Sequence, residues 1–103
     1  MHKTYNKLVR DKIPKIIESE GQICKTHILS DDEYINALES KLDEEVDEYH
    51  SDKTLEELAD IVEVVHALCI AYGYSIQDLE FIQTTKANEK GTFSKKIYLE
   101  TSM

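Results

Sequence analysis

Apolar residues recur at three- and four-residue spacing along much of this chain, and the stretches between are punctuated by hydroxyl residues and glycine. Three hydroxyl residues are each followed three positions later by an acid: Ser30 with Glu33, Thr54 with Glu57, and Ser75 with Asp78. That arrangement satisfies free amides at a helix start. The helices so opened are expected to end near His50, at Gly73 and just before Gly91, since glycine tolerates the left-handed conformation that closes a helix. An earlier helix is expected from about Asp11 to Glu20, stopping at Gly21, with Pro14 accommodated in its first turn. Two short segments, QICKTHIL and KKIYLE, alternate instead and read as strands that pair in a small ribbon. The pattern as a whole predicts a mainly α fold, an antiparallel bundle of about four helices with that ribbon.

Helical phase then divides the acids of LDEEVDEYHSDKTLEELADIVE, residues 42–63. On the helix from Asp31, advancing ~100° per residue, Ile35, Leu38, Leu42, Val46 and Tyr49 form one apolar stripe. Glu39, Asp43 and Asp47 lie on its other side, where solubility explains them. Glu45 falls inside the stripe beside Leu38 and Leu42, and Glu48 sits at its margin one turn later. Three apart, the two share a face with Cβ atoms ~5–6 Å from each other. In the next helix the expected core side is Leu58, Ile61, Val62, Val65, Leu68 and Tyr72, with Glu56 and Glu63 opposite. Glu57 and Asp60 lie along the line continued by Val64, Leu68 and Ala71, which is otherwise apolar.

Carboxylates buried side by side without a counter-charge cost several kcal/mol and drive each other's pKa values up. The short turn around HSDKT predicts antiparallel neighbours, which would bring Glu45 and Glu48 beside Glu57 and Asp60. An all-oxygen cage of this kind suits Mg²⁺ or Mn²⁺. Acid pairs at this spacing also arise on ordinary solvated helices, so a surface-only role stands beside the metal role. His2, His27, His50 and His66 show no ligand spacing, and with only three glycines there is no phosphate loop.

Composition narrows the classes further. The chain has 103 residues, the size of one domain spanning 1–103, with 32% charged and 41% hydrophobic residues and a formal net charge of −9. That charge opposes nucleic-acid or anionic-membrane binding and permits cation binding. No apolar run approaches the ~20 residues that span a bilayer. Cys24 and Cys69 fit neither a disulfide scaffold nor a CxxC pair, and the opening MHKTYNKLVRDK carries no apolar leader, so a cytoplasmic setting is expected. Most acids fall between Asp31 and Glu63, whereas cations gather at the ends, as at Lys7, Arg10, Lys12, Lys86 and Lys90.

EVDE (Glu45, Glu48) followed by ELAD (Glu57, Asp60) resembles the ExxE…ExxD metal motif of the MazG and phosphoribosyl-ATP pyrophosphohydrolase-like all-α nucleotide pyrophosphohydrolases. The opening YNKLVRDKIPKII and the closing EKGTFSKKIYLE look like a small branch of that superfamily, so the resemblance covers nearly the whole chain. It implies a helical homodimer or homotetramer and Mg²⁺-dependent cleavage of a nucleoside triphosphate, or a related nucleotide, to monophosphate and pyrophosphate, in a house-cleaning role. Glu45, Glu48, Glu57 and Asp60 would inherit the metal-ligand role. Only eight residues separate Glu48 from Glu57, fewer than in many members.

The chemistry implied has metal neutralising phosphate oxygens and lowering the pKa of a water that attacks in line. Glu45 or Glu48 would accept its proton. Arg10, the only arginine, offers a planar fork suited to phosphate, with Lys7 and Lys12 near it in sequence. Lys86 and Lys90 are further phosphate candidates, though lysines there also complement a helix dipole, and Arg10 could equally pair with a neighbouring acid. A non-catalytic metal- or nucleotide-binding helical module that regulates a partner remains the alternative class.

Overall fold

The computed structural model describes residues 3–103; His2 lies outside them. Four helices follow one another: α1 (Ile13–Ser19), α2 (Asp31–Asp52), α3 (Leu55–Ala71) and α4 (Ile76–Lys90). No strand occurs among the described residues. The predicted ribbon is therefore absent: residues 22–29 and 95–100 are irregular and unpaired, with Ile23, Ile28, Ile97 and Leu99 turned to solvent. Alternation specifies a face but supplies no partner edge, and an isolated two-stranded ribbon is marginal in water.

The helix starts fall where the hydroxyl residues put them. Ser30 and Ser75 each cap their helix in a reciprocal box, accepting from the amide three residues on while that residue's carboxylate accepts from the cap amide. Helix α1 is shorter than expected, beginning at Ile13 behind Lys12 with Pro14 in its first turn. Helix α2 is longer, running past His50 to Asp52. It closes at Lys53, a non-glycine residue in the left-handed region (φ 52°, ψ 41°), whose amide donates to the Tyr49 carbonyl at 2.7 Å. Holding a side chain there costs about 1 kcal/mol. Only Lys53 and Thr54 join α2 to α3, so the two helices fold back as a tight hairpin.

That hairpin holds the core. Leu38 (3% exposed) and Val64 (6%) are the buried apolar residues among those described, and the α2 stripe through Leu42, Val46 and Tyr49 is at least half-buried around them. On α3 the expected core side is corrected in part: Ile61, Val65 and Leu68 are half-buried as expected, whereas Leu58, Val62 and Tyr72 are not. The helix turns the Glu57, Asp60, Ile61, Val64 and Leu68 line toward α2, leaving Leu58 41% and Val62 50% exposed and Tyr72 largely open. Because α3 is apolar nearly all round, its composition does not select which side meets α2. Helix α4 packs on α3 alone, leaving it at a bend of 114°. Among the described residues no single helix is long and apolar enough to cross a membrane.

Candidate metal centre

Glu45 is 6% exposed, the one buried charged residue among those described, and lies within the apolar stripe of α2. Two groups of carboxylates gather around it, one assembled across the hairpin and one along α2 itself. Oxygens of Glu45, Glu57 and Asp60 lie within 4.8 Å of one another, as do those of Glu44, Glu45 and Glu48. The four acids chosen by helical phase thus fall, together with Glu44, into two triads that share Glu45. Glu44 completes the second triad and was not anticipated.

Cations approach from two directions. Lys41, one turn earlier on α2, places Nζ 3.3 Å from Glu45 Oε1 and 3.5 Å from Glu44 Oε1. Arg10 reaches α3 from the segment before α1, donating from Nη2 to Asp60 Oδ1 at 2.7 Å with Nη1 3.7 Å from Glu63. Lys7, from the same segment, donates to Glu44 at 3.3 Å. The Lys41 contacts were legible as i,i+3 and i,i+4 spacings. The Arg10 contact spans fifty residues of sequence and has no local signal.

These cations do not complete the site. Glu45 Oε2 and Glu57 Oε2 are both buried without a hydrogen-bond partner. Burial pushes the Glu45 carboxyl above its ordinary range, opposed by Lys41 and reinforced by Glu48. Burial also raises Glu57, and repulsion from Glu48, Asp52, Asp60 and Glu45 raises it further. Buried ionised oxygens without partners are rare because leaving them so is costly. The donor set is all carboxylate, the chemistry hard divalent cations select.

No protein-family profile matches the chain, and no solved structure matches it. The chain is 51% identical over 47 residues to an uncharacterized protein of Mycolicibacterium smegmatis, a stretch covering 46% of this chain and 48% of that one. The match thus spans about half the length of that relative.

The cationic candidates divide. Lys7 and Arg10 reach the acidic face, but both are engaged with carboxylates. Lys12, Lys86 and Lys90 make no ion pair with the cage among the described residues. Lys12 stands at the start of α1, while Lys86 and Lys90 ride on α4, which diverges from the hairpin. Lys90 occupies the last turn of α4, where its charge complements the helix dipole.

Proposed function

We propose that this protein is a Mg²⁺- or Mn²⁺-dependent nucleotide pyrophosphohydrolase whose metal is held by Glu45, Glu48, Glu57 and Asp60, with Glu44 beside them. The observation that carries the metal is the pair of buried, unpartnered oxygens, Glu45 Oε2 and Glu57 Oε2, converging from two helices. The reaction itself rests on the resemblance of EVDE, ELAD and YNKLVRDKIPKII to the pyrophosphohydrolase superfamily. Bound there, the cation supplies charge neutralisation to phosphate oxygens and acidity to a water. Glu45, the most buried carboxylate and the one shared by both triads, anchors the cage. Of the two proton acceptors the sequence offers, Glu45 and Glu48, only Glu48 makes no ion pair among the described residues, and it takes the proton in this reading. Arg10 and Lys7 lie close enough to bind phosphate once released from their acids.

The functional form in this reading is a homodimer or homotetramer. One chain exposes 9573 Å² and has a radius of gyration of 18.2 Å. A compact monomer of this mass exposes about 6,000 Å² and has a radius of gyration of about 13 Å. The outer side of α3, with Leu55, Leu58 and Val62, is the apolar surface a second copy would cover.

The direct test incubates the purified chain with a panel of nucleoside triphosphates and Mg²⁺ and measures pyrophosphate release. Turnover of at least one nucleotide, lost on chelation, is expected. Saturable metal or nucleotide binding with no product from any nucleotide would instead make this a binding module that regulates a partner.

A further inference from the structure

We infer that Arg10 is the resident counter-cation of the carboxylate cage, and that a divalent ion displaces it from Asp60 and frees its guanidinium for a phosphate. The inference rests on the metal reading above and adds a step to it: loading the cage and arming the phosphate-binding arginine become one event.

Arg10 Nη2 sits 2.7 Å from Asp60 Oδ1, a short charge-assisted bond to a member of the Glu45, Glu57 and Asp60 triad. The same triad contains Glu45, whose side chain is 8% exposed and whose Oε2 has no partner, so the cluster is built for a charge that the protein's own cations do not fully supply. Arg10's other carboxylate contact is loose, at 3.7 Å from Glu63. Its side chain is 55% exposed, and exposed ion pairs are weak and easily exchanged.

The segment that carries Arg10 is equally lightly held. Residues 3–12 form no helix or strand, and within them only Leu8 is half-buried. Lys7 ties the segment to Glu44 on α2 while Arg10 ties it to Asp60 on α3, so the segment straddles the two helices that form the cage. A doubly charged ion on Asp60 withdraws the attraction that holds the guanidinium and adds repulsion at short range. The released fork has the planar geometry for phosphate oxygens, which the bound ion also attracts.

The opposite role is distinguishable. If Arg10 instead holds Asp60 in its ligating orientation, removing it weakens metal binding; if Arg10 competes, removing it strengthens binding. Calorimetric titration of Mn²⁺ into the full chain at low ionic strength, with no nucleotide present, separates the two. Arg10→Gln is expected to bind Mn²⁺ roughly two- to fivefold more tightly than the unsubstituted chain, the scale of an exposed ion pair. Arg10→Lys, which keeps the charge, should stay close to the unsubstituted chain. In parallel, Mn²⁺ should speed tryptic cleavage after Arg10 relative to cleavage after Lys25, in an irregular exposed segment. Equal or weaker binding by Arg10→Gln, or an unchanged cleavage ratio, overturns the inference and leaves the metal site standing. No Mn²⁺ binding by either chain removes the metal reading and this inference with it.

Discussion

Thr54 accepts a hydrogen bond from the amide of Glu57 at 3.3 Å, but the Glu57 carboxylate does not return one to Thr54. The two sibling motifs do close: Ser30 N donates to Glu33 at 3.0 Å, and Ser75 N donates to Asp78 at 2.9 Å. The third motif starts its helix on half the usual pair, and its acid turns into the cage, where Oε2 is buried without a partner. The Thr54 signal therefore starts its helix while the Glu57 carboxylate turns toward Glu45 and Asp60 instead of the cap.

Glu57→Gln should raise the melting temperature of the metal-free protein, because it removes a carboxylate repelled by Glu48, Asp52, Asp60 and Glu45. The same change should abolish most of the melting-temperature gain that Mg²⁺ gives the unsubstituted chain. Ser75→Ala, which removes an ordinary cap, should cost about 1 kcal/mol and leave the Mg²⁺ gain intact. Thermal unfolding with and without Mg²⁺ reads all three. A Glu57→Gln chain that keeps the full gain would show that the cage is not the metal site.

Lys41→Gln should destabilise the metal-free protein by about 1–3 kcal/mol, since it strips the counter-charge from a buried carboxylate. Glu45 would then lose its one paired cation, while Glu44 would keep only Lys7. Mg²⁺ should recover more stability in this variant than in the unsubstituted chain, because the ion takes over what Lys41 did. Urea unfolding at fixed Mg²⁺ concentrations measures the difference. Equal recovery in both chains would mean that Lys41 and the ion act on separate groups.

The pH dependence has two windows. Glu45 and Glu57 have raised carboxyl pKa values, so between the unfolded value near 4.3 and those raised values the folded chain binds more protons than the unfolded one. Stability without metal therefore increases as pH falls from neutrality through that window. Glu33 and Asp78 behave oppositely. Hydrogen bonds from Ser30 and Ser75 hold them below their ordinary values, so their contribution is lost as pH falls through those lowered values. The metal-free melting temperature should peak on the acid side of neutrality and then fall. The Mg²⁺-dependent gain should shrink steadily as pH drops, because protons compete with the ion. A melting temperature that only falls from pH 7 downward without metal would contradict the placement of Glu45 and Glu57.

Helical phase picked out the converging carboxylates more securely than it placed the core. Glu45 stood out because α2 has a single apolar stripe, and a carboxylate inside it violates the local pattern. Capping chemistry set three helix starts to the residue, since a hydroxyl and an acid at fixed spacing act locally. Helix α3 resisted the same treatment: with apolar residues on almost every side, its phase put Val62 on the core side, and the structure buries Val64 instead. The segments QICKTHIL and KKIYLE carry a strand period without a strand, because pairing depends on a neighbour that the sequence does not name. Arg10 on Asp60 is a tertiary pairing set by the path of residues 3–12 over the hairpin, and no spacing rule reaches it.

The outer side of α3 yields the last prediction. Leu55, Leu58 and Val62 follow one another at three- and four-residue spacing and are 77%, 41% and 50% exposed, a stripe as apolar as the one α2 covers on the inner side. A helix apolar on both sides is normally enclosed on both, and the surface left open by one chain is more than a compact monomer leaves. Twofold pairing of outer faces would enclose the Val62 of both copies in one interface. Sedimentation at micromolar concentration should therefore find a dimer or tetramer. Val62→Lys should convert it to a monomer of lower stability, because each interface would then bury two like charges. Val62→Leu should preserve assembly, and Glu56→Lys, on the polar side of α3, should leave it unchanged. An unsubstituted chain that sediments as a monomer would require the exposed stripe to serve some other contact.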